Sequence, residues 1–134
     1  MTVDLLLLTL WVALGSALGG MARFFVSGFV ARRIGETFPW GTLVVNLSGA
    51  FAVGLIVSSG DMSYPAMPSL GWAFLISGFL GSYTTVSSFS LQTLALAREG
   101  DWRRAGTNVV LSLALCLAVA AIGLVLGAIW ARMQ

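Results

Sequence analysis

The sequence predicts an all-α membrane protein, a single domain over 1–134 built from four transmembrane helices, the third broken near its middle. Three observations predict this class. Hydrophobic residues fill 58% of the 134 positions and charged residues only 9%, against roughly a quarter charged in an ordinary soluble domain. Small globules bury the least of their surface, so a soluble fold of this length cannot hide so much apolar side chain. Charge-free windows also recur along the chain, each close to or above the ~20 residues that cross a bilayer, and one is too long for a single straight span.

The first span is read as 5–31. Leu5 to Ala22 carries no charge, Arg23 interrupts, and eight further uncharged residues lead to Arg32, Arg33 and Glu36. The preceding Met1-Thr2-Val3-Asp4 lacks the basic stretch of a cleavable signal peptide, so this span is expected to be retained. The second span, 40–60, closes at Asp61 and a turn-like stretch ending at Pro68. The third is placed at 68–97, since proline suits a first helical turn. Its 30 residues make about 45 Å of continuous helix, well over a ~30 Å hydrocarbon core. A break inside the span reconciles the two lengths. The fourth span, 103–131, follows Arg98-Glu99-Gly100-Asp101. Trp40, Trp72, Trp102 and Trp130 lie near span ends, as interfacial anchors do.

All seven basic residues are arginine, there is no histidine, and Cys116 stands alone. Histidine and cysteine metal clusters, histidine acid–base chemistry and an internal disulfide are thereby excluded. The net charge of +2 is too small and too scattered for nucleic acid. Its placement bears on orientation instead. Loops one and three share a side and carry Arg32, Arg33, Arg98, Arg103 and Arg104, while the other side has Arg132. Five against one favours both termini outside.

Polar groups within spans are costly and mark candidate sites. The stretch from Gly81 to Ser90 packs seven hydroxyls into ten residues near the bilayer centre. Such hydroxyls either bond back to helix carbonyls and help helices approach, or line a polar cavity beside a broken helix. Arg23, about 12 Å of helix rise from the loop-one end, can snorkel to the interface or face a vestibule. Asn46 is interhelical glue or a pore-lining amide. Asn108, Ser112 and Cys116 share one face of the fourth span, a stripe that ends at Ala120. Gly15, Gly19 and Gly20 form a small-residue surface for close helix approach. One four-helix unit encloses a polar pathway poorly, which points to an oligomer.

With these elements in order, the sequence resembles the Fluc (CrcB-type) fluoride channel family over essentially its whole length. The resemblance rests on a glycine-rich run ending in Arg23, on Gly41-Thr42-Leu43 with Asn46, and on Gly78-Phe79-Leu80-Gly81-Ser82-Tyr83-Thr84-Thr85-Val86-Ser87-Ser88-Phe89-Ser90. It implies a multi-pass protein of the bacterial inner (plasma) membrane, an antiparallel dimer with two pores, and passive export of cytoplasmic fluoride. It also implies one structural Na⁺, not transported, held at the dimer centre by the backbone carbonyls of Gly81 and Thr84. Oxygen ligands suit a hard cation. Two phenylalanines of the family motif line the fluoride path. Here Phe89 keeps the second position, and Val86, which lacks an aromatic's positive edge, takes the first. Ser88, Asn46, Ser112 and Asn108 fall on the implied fluoride path, and Arg23 at its vestibule or in a structural role. Ser82 replaces the motif's second glycine, and Asn108 stands where the family often has an aromatic.

The partner subunit is read as an identical copy or a paralogue. An antiparallel homodimer needs nearly balanced arginines on its two sides, and five against one favours a paralogue of opposite bias. A non-conducting or half-active subunit of a heterodimeric channel is the alternative that Val86 keeps open. A small multidrug-type exporter would need a carboxylate within the membrane, and Asp4, Glu36, Asp61, Glu99 and Asp101 all lie in loops or at span ends. No set of residues for an enzyme is visible.

Overall fold

The computed structural model describes residues 2–35, 37–59 and 70–133, and every regular element among them is helical. Glu36, the Gly60 end of the second span, Asp61 and the Pro68 start of the third lie outside the described residues. Helix α1 runs Thr2–Ile34 and α2 Trp40–Ser59. The short α3, Leu70–Trp72, passes into a π-helical stretch, Ala73–Leu80, and then into α4, Gly81–Tyr83. Helices α5, Val86–Arg98, and α6, Trp102–Arg132, complete the chain. Three of these, α1, α2 and α6, are long and apolar enough to cross a membrane.

The helix ends follow from local chemistry. Asp4 stands in the first turn of α1 and Arg32 and Arg33 in its last, charges that suit the two ends of the helix dipole. Gly35 stops α1 at φ +100°, donating its N–H to the Ala31 carbonyl at 2.9 Å. At the end of α5, Gly100 has φ +84° and donates to the Ala97 carbonyl, while the Asp101 N–H reaches Leu96. That pair of bonds is a Schellman closure, which glycine alone makes at no steric cost. Asp101 then caps α6, its carboxylate accepting from the Arg104 N–H at 3.0 Å.

Glycines set the packing. A Cβ at Gly15 or Gly19 would collide with the backbone of Phe74 or Phe79, and one at Gly78 would come within 2.7 Å of the Val12 carbonyl. Trp11 meets Phe74 edge-to-face at 5.8 Å. Rising numbers on α1 therefore meet rising numbers on the 70–80 segment, and the two run parallel. A second close approach joins α2 to α6, where Gly54 meets the Ala120 carbonyl and Gly123 that of Phe51. Backbones this close exchange dispersion contacts that larger residues would forbid.

Short loops turn α1 into α2 and α5 into α6, so α2 and α6 both run opposite to α1. The two loops lie at the same end: a cavity of about 270 Å³ is lined by Phe38 and Pro39 from the first and by Glu99 from the second, with Leu96 of α5 and Arg104 of α6. The start of α1 and the ends of α2 and α6 lie at the other end of the molecule. Helix α2 is the most enclosed, with 33% of its apolar window buried against 11% for α1 and for α6. The outer faces of α1 and α6 carry Leu6, Leu10, Phe25, Leu117 and Val125, all exposed. These faces suit lipid hydrocarbon or another apolar chain.

Candidate functional site

Between α4 and α5 the backbone leaves the helical region. Thr84 lies at φ −75°, ψ 156° and Thr85 at φ −151°, ψ 116°. Helical bonding persists up to the Thr84 N–H, which donates to Leu80 at 3.1 Å. The next N–H, that of Thr85, would reach Gly81 in a continuous helix. It donates instead to Asn46 Oδ1 at 2.7 Å, and Asn46 Nδ2 donates to the Thr85 carbonyl at 2.9 Å. The amide of Asn46 thus pairs with both polar groups of one extended residue, as a neighbouring strand would. Freed backbone groups at membrane depth need such a partner.

A second exchange follows one turn later. The Ser88 N–H, which would reach the Thr84 carbonyl in a continuous helix, donates to Thr85 Oγ1 at 3.1 Å. Thr85 is the N-cap of α5, and its hydroxyl donates in turn to Ser88 Oγ at 3.1 Å. Gly81 and Thr84 are therefore the residues whose carbonyls lose a helical donor to a side chain. Gly81 is exposed and Thr84 half-buried. Room for the turn comes from Gly49, where a Cβ would strike the Thr84 methyl. Tyr83, buried and stacked on Phe79 with centroids 5.9 Å apart, shares a 2.9 Å hydrogen bond with Ser48.

Beside the break, α1, α2 and α5 enclose an open cavity of about 650 Å³. Among the described residues Arg23 is the one ionisable group in its lining, with Ser27, Thr42, Thr85, Ser88 and Gln92 as polar neighbours and Phe24, Phe38 and Trp40 as apolar ones. No carboxylate lines it among the described residues. The Gln92 Oε1 is buried without a hydrogen-bond partner, and Gln92 also borders the smaller loop-end cavity. A permanent guanidinium with hydroxyl and amide donors in a low-dielectric cleft concentrates anions and disfavours cations.

The sequence-predicted residues fall into separate groups. Arg23 and Ser88 line the large cavity, and Asn46 fastens Thr85 in its wall. Val86 stands away from it, 76% exposed on α5. Phe89 is half-buried. Asn108, only 2% exposed, donates to Thr93 Oγ1 at 2.8 Å, and Thr93 donates to the Phe89 carbonyl at 2.7 Å. Ser112 is buried on α6. Gln92 and Thr93 were not singled out by the sequence, and Thr42 and Thr85 entered only as members of the motifs that carry the resemblance. A signal existed for Thr85, a hydroxyl residue just ahead of a helical apolar stretch, where N-caps are preferred. For Thr93 and Gln92 no local signal distinguishes them from other polar residues in a span.

Comparison with known proteins adds independent findings. A family model described as "CrcB-like protein, Camphor Resistance (CrcB)" matches residues 10–124. The chain is 60% identical over 115 residues, 85% of its own length and 88% of the relative's, to a protein of Rhodopseudomonas palustris (strain BisB18) named "Fluoride-specific ion channel FluC 2". A protein of the same name from Bradyrhizobium diazoefficiens is 53% identical over 119 residues, covering 86% of this chain and 85% of that one. "Fluoride-specific ion channel FluC" of Opitutus terrae is 52% identical over 124 residues, 87% of this chain and 94% of the relative.

Proposed function

The chain belongs to the CrcB-like protein family, and on that footing we propose that it is a fluoride channel that lets the anion leave the cytoplasm passively. It is a multi-pass membrane protein, of the inner membrane in bacteria, and a transporter rather than an enzyme. Hydrogen fluoride crosses lipid uncharged and dissociates in a neutral cytoplasm, leaving an anion that needs a protein path. The observation that carries the reading is the cavity with Arg23 and a set of hydroxyls in its wall, in which no carboxylate stands among the described residues. Arg23 draws the ion in, and Ser88 offers a hydroxyl donor beside the break. Asn46 holds that break open. Phe89 lends its positive ring edge, kept in place through Thr93 and Asn108. Ser112, buried on α6 outside the lining of this cavity, adds a hydroxyl farther along the proposed path.

The finer architecture belongs to the same proposal. The segment 70–98 acts as one broken span beside α1, α2 and α6, giving four crossings per subunit. Two such subunits pair antiparallel across the face that carries the break. A structural Na⁺ sits at the centre, held by the Gly81 and Thr84 carbonyls of each subunit. Support comes from the redirected N–H groups of Thr85 and Ser88, since a carbonyl without a donor at membrane depth needs a partner and oxygen suits a hard cation. When bound, the ion supplies fixed positive charge that ties the two breaks together.

Val86 favours a second reading, that of a half-active subunit whose partner supplies intact phenylalanines. Growth of bacteria lacking their own fluoride exporter, on medium containing fluoride, separates the two. A fully active channel restores growth when expressed alone. A half-active subunit restores it only after Val86→Phe or beside an intact partner. Failure under every one of these conditions contradicts the proposal.

A further inference from the structure

Arg32 and Arg33 close α1, and their side chains take different surfaces. Long side chains on a helix lean back toward its N-terminus and cover the residue four positions earlier. Arg33 follows that rule onto Phe29, its guanidinium 5.1 Å from the ring centroid. Phe29 is exposed and stands outside the lining of the large cavity. Arg32 folds back onto Gly28, where its Nη1 lies 3.2 Å from the point a Cβ would occupy. Gly28 does line that cavity, as Gly20, Arg23 and Phe24 do from the same helix. A side chain at position 28 would push the guanidinium away, so the glycine lets it lie against the cavity's rim. Gly28 is about 7.5 Å of helix rise from Arg23, on the loop-end side.

Neither Arg32 nor Arg33 has a carboxylate partner among the described residues; the ion pair at this end joins Arg104 to Asp101 at 3.3 Å. We infer that Arg32 is a steering charge of the fluoride path, set at the loop-end rim to feed the cavity around Arg23. The inference rests on the fluoride-channel reading above. Arg32 is exposed, so its charge acts through water and holds no desolvated ion. It acts on the rate of entry. A cleft of one sign raises the local concentration of the opposite ion, and salt erases the effect. One unit charge about 5–10 Å from an ion in water changes that concentration roughly two- to fourfold. Arg33 carries the same charge at the next position but lies over the outward-facing Phe29, which makes it the matched control.

The test follows initial fluoride efflux from liposomes at subsaturating fluoride, with an impermeant salt setting the ionic strength. At about 10 mM, where the Debye length is ~30 Å, Arg32→Gln should slow efflux roughly two- to fourfold. At about 1 M, where that length is ~3 Å, the gap should close. Arg32→Lys keeps the charge and should retain the parent rate, while Arg33→Gln should cost less than Arg32→Gln. Equal losses in Arg32→Gln and Arg33→Gln overturn the inference in favour of net charge, and a loss that persists at high salt overturns it in favour of a structural role. A second readout needs no conduction. In detergent micelles, a thiol placed in the cavity wall by Ser27→Cys in a Cys116→Ser background is reacted with an anionic and a cationic methanethiosulfonate. Arg32→Gln should lower the anionic-to-cationic rate ratio at low salt by more than Arg33→Gln does. An unchanged ratio overturns the inference even where fluoride passes. A ratio that shifts in a protein without efflux keeps the steering charge and removes the channel reading instead.

Discussion

Replacing Asn46 by alanine removes both hydrogen bonds that hold the extended Thr85, the 2.7 Å bond from its N–H and the 2.9 Å bond to its carbonyl. Thr85 is 6% exposed, so its backbone groups have little other recourse. Each buried polar group left unpaired costs about 1–3 kcal/mol, for a sum of roughly 2–6 kcal/mol. Thr85 also borders the large cavity, where water restores part of that loss, which lowers the expectation to about 2–4 kcal/mol, the lower half of the range. The assay is reversible unfolding in mixed micelles by titration with a denaturing detergent, run beside fluoride efflux from liposomes. Asn46→Ala should lose stability and flux together. Asn46→Asp keeps the acceptor for the Thr85 N–H and should retain more stability than Asn46→Ala. A variant that folds within about 0.5 kcal/mol of the parent, the spread of an inconsequential substitution, yet loses flux would refute the reasoning. Asn46 would then be a pore-lining amide with no part in holding the break.

Gly49→Ala should destabilise by about 1–3 kcal/mol, as overpacking does, because its methyl meets the Thr84 side chain. The same unfolding titration reads this, and an unchanged midpoint contradicts the close approach. Asn108→Leu and Thr93→Val remove opposite ends of one 2.8 Å bond, so a double-mutant cycle should give a coupling of about 0.6–1.7 kcal/mol. Additive losses would mean that the bond contributes nothing. Exchanging Na⁺ for a large organic cation should lower both the unfolding midpoint and the fluoride flux, by the linkage that ties a bound ion to the folded state. Insensitivity of both removes the Na⁺ from the account.

Much of this molecule was legible along the chain because lipid imposes a coarse rule. Charges such as Arg32, Arg98 and Arg103 cannot sit at the bilayer centre without cost, so their spacing alone separates apolar segments, and the all-helical membrane class follows. Ordered short motifs around Arg23, Asn46 and Phe89 carried the family. What escaped were relations across long separations. Asn46 and Thr85 are 39 residues apart, and an amide in a span looks the same whether it bonds a helix, a pore ion or a broken backbone. Asn108 read as part of a polar stripe, and only the fold shows it buried against Thr93. The small residues at Gly15 and Gly19 announced a close contact, while the backbone they meet, at Phe74 and Phe79, depends on how α1 and the π-helical stretch align. Gln92 gave no signal because its distinction, an unpartnered oxygen between two cavities, belongs to the walls around it.

The central claim, that this membrane chain with Arg23 in a hydroxyl-lined cavity passes fluoride, is tested most directly by anion efflux. The purified protein is reconstituted into liposomes, alone and with a reversed-bias partner, and release is followed with fluoride- and chloride-selective electrodes. The account predicts rapid loss of fluoride with chloride retained. Fluoride release no faster than from protein-free liposomes in either preparation, or equal release of the two anions, would contradict it.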